Sequence, residues 1–597
     1  VEDTLAVVCF VLLAVLPGVE IVLRSLFRLG VQGYSNYVVH LVLVLAFVGG
    51  MITSREKQHL AMSAGLALSR GDLRAGLQTV VSFISVSICT ALAWSSAAML
   101  LIGFDPRTIV GFVPIQVFVA AMPVGFAVMA VRFFTRAPAG HGRRAGLVLA
   151  FVAGTFFSLS SLYNLFFSFE LTPPAILDSA MNAWYAYSWY ATVPLAVALI
   201  LSSAIGVPIF VVLAGVAMMF FSRSGGSLEV IPLEGYTMLT ASSIPAIPLF
   251  TLAGFILSES KAGDRMVGLF RAFFGWMPGG MAVAAVLVST FFTTFTGASG
   301  VTILALGGLL FLVLTDNGHY GERFSMGLLT GSGSIGLLFP PSLAIILYGT
   351  VAQYNIFHLF LGGILPGALF VIAMALAGVY VSERRGIKAV AFSLPEALSA
   401  LKASAWEVLL PVVIVLFYFG GLTTLVETSA IAVLYAFLVE TVIHKEIPLR
   451  RLPRVILKSV PIVGGVLVIL AAARGLSSFI VDVQIPTMLS TWVEAHIDSR
   501  FVFLVLLNVA LLATGCIMDL YSAILVVAPL VIPLGNLFGV APVHLGIIFL
   551  ANLGLGFITP PVGLNLFLAS YRFDQPLLRV YRSVWPFFLL QLAIVLI

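Results

Sequence analysis

From residue 4 onward the chain is a succession of apolar runs separated by short polar turns. Most runs are long enough to cross roughly 30 Å of hydrocarbon as helices. Four spans are predicted at about 4–23, 37–53, 77–101 and 109–131, and a fifth at 145–167 leads to a polar loop at 168–190. Spans near 184–205 and 207–222 follow, turned at Gly206-Val207-Pro208, then an amphipathic stretch at 229–243 and a span at 244–260. Later spans are predicted at 359–381, 406–422, 428–443, 461–480 and 584–597, with a surface-lying helix at 395–405. A polar segment holding Asp482, Glu494 and Asp498 follows the 461–480 run.

Four runs are interrupted, and the interruptions matter most. The run 278–315 breaks at Thr296-Gly-Ala-Ser-Gly300, and its arms of about 15–18 residues predict a re-entrant hairpin. The next run, 322–353, is broken between Gly331 and the pair Pro340-Pro341. A second hairpin at 500–537 has its tip at Thr514-Gly-Cys-Ile-Met-Asp519, and a second broken helix, 541–570, breaks between Asn552 and Asn565 around Pro560-Pro561. The two proline pairs stand 220 positions apart. Proline removes a backbone donor and clashes with the preceding turn, while glycine makes irregular backbone accessible. Paired hairpins and broken helices in two half-sequences predict an inverted-repeat transporter.

Composition agrees. Apolar residues make up 61% of the chain and charged residues 9%. That excludes a soluble enzyme and predicts an all-α polytopic membrane protein. The net charge of +5 is no nucleic-acid signal, because Lys and Arg gather in short loops. Arg55, Lys57, Arg70 and Arg74, then Arg132, Arg136, Arg143 and Arg144, place those loops and the N-terminus in the cytoplasm. Lys445, Arg450, Arg451, Arg454 and Lys458 form the strongest basic loop, and Pro138–Arg144 is the clearest linker. Trp184, Tyr185, Tyr187, Trp189 and Tyr190 read as an interfacial belt. Cys9, Cys89 and Cys516 lack metal-ligand spacing and read as small core residues. No phosphate loop, zinc motif or catalytic triad is present, so neither ATP drive nor enzyme chemistry is expected. The chain opens on Val1-Glu2-Asp3 without methionine, which suggests that native residues precede it.

Backbone carbonyls freed inside a bilayer must be satisfied by protein, water or an ion. The candidate sodium ligands are therefore Thr296, Gly297, Ser299, Ser332, Gly333 and Gly336 in the first repeat. In the second they are Thr514, Gly515, Asp519, Asn552, Gly554, Gly556 and Thr559. Pro340, Pro341, Pro560 and Pro561 are the helix breaks. Kinking or close helix packing is the plainer reading of any one interruption, but four in matched pairs favour sites. Asp519 is either a coupling residue or a cap for the following helix, and Glu427 reads as a cap. Arg474, Ser334 and Asn565 are candidates to meet an anionic substrate.

The blocks Gly336-Leu-Leu-Phe-Pro-Pro-Ser342, Met518-Asp519, Pro542-Val-His-Leu-Gly546-Ile-Ile and Thr559-Pro-Pro-Val-Gly-Leu-Asn565-Leu-Phe resemble the tripartite ATP-independent periplasmic (TRAP) transporters. Residues 420–430 resemble that family's stretch with Glu427 at its glutamate position. Residues 1–135 resemble its four-helix small subunit through Gly49-Gly50 and Arg55-Glu-Lys-Gln-His59. The resemblance implies a small subunit at 1–135, a linker with a connecting helix at 136–183, and a large subunit at 184–597. Repeats would fall at about 244–381 and 461–597. It also implies an ion-transporter-superfamily elevator, monomeric as a fused unit in the bacterial inner membrane. A periplasmic substrate-binding protein would deliver dicarboxylates, sialic acids or sulfonates, sodium would be the coupling ion, and no cofactor is implied. Two rival readings are a self-sufficient sodium/dicarboxylate symporter and a membrane-embedded enzyme or redox-complex subunit.

Overall fold

The computed structural model describes residues 1–57, 59, 61, 71–105, 107–137, 141–169, 172–297, 299–317, 319–387, 389, 391–560 and 563–597. Among these residues twelve helices are long and apolar enough to cross a membrane, and three helix pairs are bent by more than 40° at a short break. In hydrocarbon the backbone can bond only within the protein, which is why nearly every apolar run is helical.

The chain divides into two compact units, Val1–Pro245 with Leu457–Ile485, and Ala246–Ile456 with Pro486–Ile597. In the first, the N-terminal helices Glu2–Val22, Tyr34–Glu56 and Gly71–Ile102 pack with Ala121–Thr135. Tyr34–Glu56 also crosses the long helix Leu452–Asp482, glycine against glycine. A Cβ on Gly49 would lie 2.6 Å from Gly464 Cα, so the backbones themselves are in contact there. Beside this crossing the Thr53 hydroxyl lies 2.6 Å from Gly49 O and 3.1 Å from Pro461 O. At one end, Arg55 pairs with Asp3 at 2.6 Å and Arg132 pairs with Glu2, tying three helix ends together.

The second unit runs through one order of elements twice. The first hairpin is Gly280–Thr296 with Ser299–Leu312, extended by a wide turn over Val313–Asn317. Its broken helix is Glu322–Ser332, a tight turn Ile335–Leu338, and Leu343–Val351, bent by 46°. The long helix Ile356–Arg385 follows. The second hairpin is Arg500–Ile517 with Leu520–Leu537, its broken helix Pro542–Gly556 with Leu564–Arg572, and its long helix Leu577–Val595.

Several expected boundaries differ. The 109–131 span opens instead as a two-residue antiparallel ribbon, Ile109–Val110 with Val113–Pro114, because Gly111 takes a positive φ of 61° and turns the chain. The 145–167 run is bent by 62° after Phe157 rather than straight, where Ser158 carries its hydroxyl back to Gly154 O. The 168–190 loop is largely helix. Ala175–Ser202 is one 28-residue element, and the aromatic belt lies along it with Arg223 stacked over Trp189. Likewise Ile485–His496 is helical, and Arg454 and Lys458 stand in the helix from Leu452 rather than in a loop. Both stretches mix polar and apolar residues, a composition that a helix shares with a loop. The 244–260 run folds as the 13-residue helix Ala246–Ser258, well under a crossing. Pro138, Ala139 and Gly140 of the expected linker, and Arg70, lie outside the described residues.

The glycine crossing makes a test. Gly464→Ala should lower stability by roughly 1–3 kcal/mol, since the new methyl meets backbone that cannot move aside. Gly465→Ala, whose methyl would meet only Thr53 Cγ2 at 3.8 Å, should be neutral. Thermal unfolding of the two variants in detergent separates them, and equal midpoints would contradict the close crossing.

Candidate functional site

The site forms where the breaks meet the hairpins. In the first repeat, Gly336 seats the break against Gly280–Thr296. A Cβ there would fall 2.5 Å from Thr290 O and 2.7 Å from Thr294 N, so no side chain fits. The close approach delivers hydroxyls to carbonyls of the break. Thr293 Oγ1 lies 2.9 Å from Gly333 O and 2.8 Å from Thr302 Oγ1, and Thr294 Oγ1 lies 3.2 Å from Gly336 O. Thr296 Oγ1 stands 3.4 Å from Thr302 Oγ1, and all four threonines are buried.

The second repeat uses the same device with different side chains. A Cβ on Gly556 would fall 2.6 Å from Gly515 Cα. Cys516 donates its thiol to Thr559 O at 3.2 Å, and Gly563 N donates to Cys516 O at 3.2 Å. Asn565 N reaches back to Phe557 O at 3.1 Å, closing the break.

The two repeats are also joined to each other. Ser299 at the first tip donates to Asn565 Oδ1 at 2.7 Å, and Tyr521 OH points at Gly297 O at 3.4 Å. Ser334 lies over Gly554, where a Cβ would be 3.6 Å away, and both line a cavity of about 10 Å³ with Gln591 and Leu550. That is room for about one water-sized species. Tips and breaks thus form one polar seam inside an apolar unit.

Other predicted residues are placed as follows. Ser332, Thr514 and Thr559 turn their hydroxyls back to Leu328 O, Ala510 O and Leu555 O at 2.8, 2.8 and 2.9 Å, leaving lone pairs as their free chemistry. Asn552 donates to Asn508 Oδ1 at 2.6 Å and to Ile548 O at 2.9 Å, while its own Oδ1 is buried without a partner among the described residues. Asn565 Nδ2 is orphaned in the same way. Asp519 caps the helix Leu520–Leu537. It accepts from Tyr521 N at 3.0 Å, Ser522 N at 3.2 Å and Ser522 Oγ at 2.5 Å. Glu427 closes a capping box with Thr424, as its position at a helix start suggests. Pro340, Pro341 and Pro560 sit in the breaks, and Pro561 lies outside the described residues. Arg474 is not part of the seam. It belongs to the first unit, where it pairs with Glu234 at 2.9 Å.

Sequence reading misses Thr293, Thr294, Thr302, Tyr521, Asn508 and Gln591, whose Nε2 donates to Gly331 O at 2.8 Å. Thr293-Thr294-Phe295-Thr296 carries a signal, three hydroxyls in four residues of an apolar helix. Asn508 and Gln591 are lone amides in apolar helices, where a polar group must find a partner. Chemically the seam offers carbonyl, hydroxyl and amide oxygens. That set suits a hard cation and supplies no activated nucleophile.

The model of the family described as "Tripartite ATP-independent periplasmic transporter, DctM component" matches residues 195–597, and that of the DctQ component matches residues 13–140. An isethionate TRAP transporter permease protein, DctMQ, from Oleidesulfovibrio alaskensis is 28% identical over 528 residues, 87% of this chain and 80% of its own. The C4-dicarboxylate TRAP transporter large permease protein DctM of Pseudomonas aeruginosa is 31% identical over 365 residues, covering 61% of this chain and 84% of its own. A 2,3-diketo-L-gulonate TRAP transporter large permease protein of Escherichia coli is 28% identical over 404 residues, 66% and 93% of the two chains.

Substitutions at two positions probe the seam. Thr293→Val removes the hydroxyl beside Gly333 O and leaves a buried carbonyl short of a donor, a loss of about 1–3 kcal/mol in unfolding experiments. Asp519→Ala should cost about 1 kcal/mol by removing a cap, whereas Asp519→Ser restores a capping oxygen without the charge. If both Asp519 variants unfold alike, capping is not what the carboxylate does.

Proposed function

The chain belongs to the tripartite ATP-independent periplasmic transporters, its DctQ and DctM components fused in one multi-pass inner-membrane protein, and we propose that it imports a small organic acid anion by sodium-coupled, elevator-type alternating access. The relatives are permeases rather than enzymes, so the reading as an enzyme or redox subunit falls away. Their names specify isethionate, C4-dicarboxylates and 2,3-diketo-L-gulonate, all small acid anions, which supports the substrate class. A periplasmic substrate-binding protein hands the anion to this chain.

The observation that carries the coupling is the polar seam. Two helix breaks, each held by glycine against its own hairpin, gather carbonyls and hydroxyls where the surrounding unit is apolar. Sodium takes one site from Thr296, Gly297, Ser299, Ser332, Gly333 and Gly336. A second is formed by Thr514, Gly515, Asp519, Asn552, Gly554, Gly556 and Thr559, with Asp519 fixing the tip through its cap. Ser334 and Asn565, on the cross-repeat contacts, meet the anion. The hairpins and broken helices of both repeats travel together as one block, which the bonds between Ser299 and Asn565 and between Tyr521 and Gly297 favour. The orphaned Asn552 Oδ1 and Asn565 Nδ2 are the groups that a ligand would complete.

Reconstitution tests this. In proteoliposomes, uptake of a radiolabelled acid should need an inward sodium gradient and a cognate binding protein, with potassium unable to substitute. Uptake without any binding protein would favour the self-sufficient symporter. Pro340→Leu or Pro560→Leu should let the helix continue and hide its carbonyls, leaving an inserted protein with at least tenfold weaker sodium dependence. If both proline variants carry substrate at the normal rate, the seam is not the ion site.

A further inference from the structure

Away from the seam, the second unit buries a charge cluster that the transport reading does not use. It lies where the helices Ala246–Ser258 and Ala262–Phe274 meet Ala405–Ile414 and the end of Leu425–Phe437 with its wide turn Leu438–Ile443. Arg265 is the hub. Its Nη2 is 2.5 Å from Glu407 Oε1 and 3.0 Å from Glu440 Oε2, its Nε is 2.6 Å from Glu407 Oε1, and its Nη1 donates to Glu446. The Glu407 and Glu440 side chains have no exposed surface. Three carboxylates therefore face one guanidinium, and two of them share a single nitrogen. Fully ionised, the cluster would carry two negative charges beyond the one Arg265 cancels, in a setting where an uncompensated buried charge is strongly disfavoured.

The surroundings do not supply the balance inside: Lys445, between His444 and Glu446, is exposed, and so are Arg450, Arg451 and Arg454 beyond it. Glu446 Oε2 is engaged by Lys261 N at 2.7 Å, and the Lys261 side chain is exposed, as are Glu259 and Asp264 in the same turn. The helix Leu394–Ala403, packed against Ala262–Phe274, contributes Glu396 and Lys402, both exposed, and the hairpin helix Gly280–Thr296 has no charged residue. Tyr435 directs its hydroxyl to Trp406 O at 2.8 Å. His444 Nε2 is 3.6 Å from Glu407 Oε1, too far for a hydrogen bond, and has no other partner among the described residues. Independently, Glu407 Oε2 is buried with no donor among the described residues. A metal cation would have to sit against the guanidinium that already fills the centre, whereas a proton needs no room.

We propose that Glu407 and Glu440 share a proton-binding site at this corner, with His444 as its route to water. The proton removes the repulsion between two carboxylates on one nitrogen, and the pair holds it as a unit. His444, with a fifth of its side chain exposed, bridges solvent and the closed interior. Glu407 stands in the first turn after the 62° bend between Leu394–Ala403 and Ala405–Phe419, so the proton sits beside that joint.

The site is independent of what the protein carries, and infrared pH-difference spectra of the full chain in lipid nanodiscs test it without transport. The wild type should show the carbonyl stretch of a protonated carboxylic acid at neutral pH, shifted in heavy water. Glu407→Gln and Glu440→Gln should each abolish that band, and Glu446→Gln, at the rim, should leave it. Either buried variant decides alone if the other does not fold. No such band in the wild type at neutral pH, or one that survives both substitutions, overturns the proposal.

Discussion

A backbone carbonyl or amide in hydrocarbon has no water to bond, and this one constraint orders the structure. Uninterrupted helices meet it by construction, and most of the chain is built of them. The two breaks violate it locally, so everything beside them exists to repair the violation. Glycine at 336 and 556 removes the Cβ that would hold the hairpin away. Threonine hydroxyls at 293 and 294 and the Gln591 amide then reach the carbonyls of Gly333, Gly336 and Gly331. In the second repeat the chain repairs itself more through backbone, with Gly563 N on Cys516 O and Asn565 N on Phe557 O. Proximity from glycine comes first, and polar contact follows.

How much of this can be read from the sequence depends on which residues carry information locally. The breaks are legible because proline and glycine act within one turn, so that Pro340 or Pro560 interrupts an apolar helix whatever its neighbours are. The pairing of each hairpin with its own break follows from the repeat. What stays hidden is contact at a distance: that Ser299 bonds Asn565, that Tyr521 reaches Gly297, or that Arg474 is matched by Glu234, 240 positions earlier. None of these pairs has a spacing rule. Polar loops mislead for a different reason. Residues 175–202 and 485–496 mix aromatic, acidic and small residues, and helices share that composition with loops.

Charge placement shows the same economy. Many of the few charged residues gather at helix ends, as in the pairs of Arg55 with Asp3 and Arg132 with Glu2, or are folded into the Arg265 cluster. The seam carries hydroxyls, amides and carbonyls, with Asp519 as its one carboxylate, and that group is bonded three ways within its own helical turn. A polar site assembled this way is stable in a low-dielectric setting without a dedicated counter-ion, since its threonine hydroxyls already have neutral partners.

That neutrality bears on motion. Moving one elementary charge across the membrane potential involves about 2.3 kcal/mol per 100 mV, so a site rich in fixed carboxylates would resist travel whenever it was empty. On the proposed reading neutral oxygens reduce this penalty, because apart from Asp519 the seam gains charge only with its ligands and loses it when they leave. An anion arriving with cations then partly cancels the charge that the cations bring. On the proposed reading, the same threonine and glycine residues that repair the backbone also keep the empty block nearly uncharged. Helix repair and coupling are then one requirement, met by one set of residues.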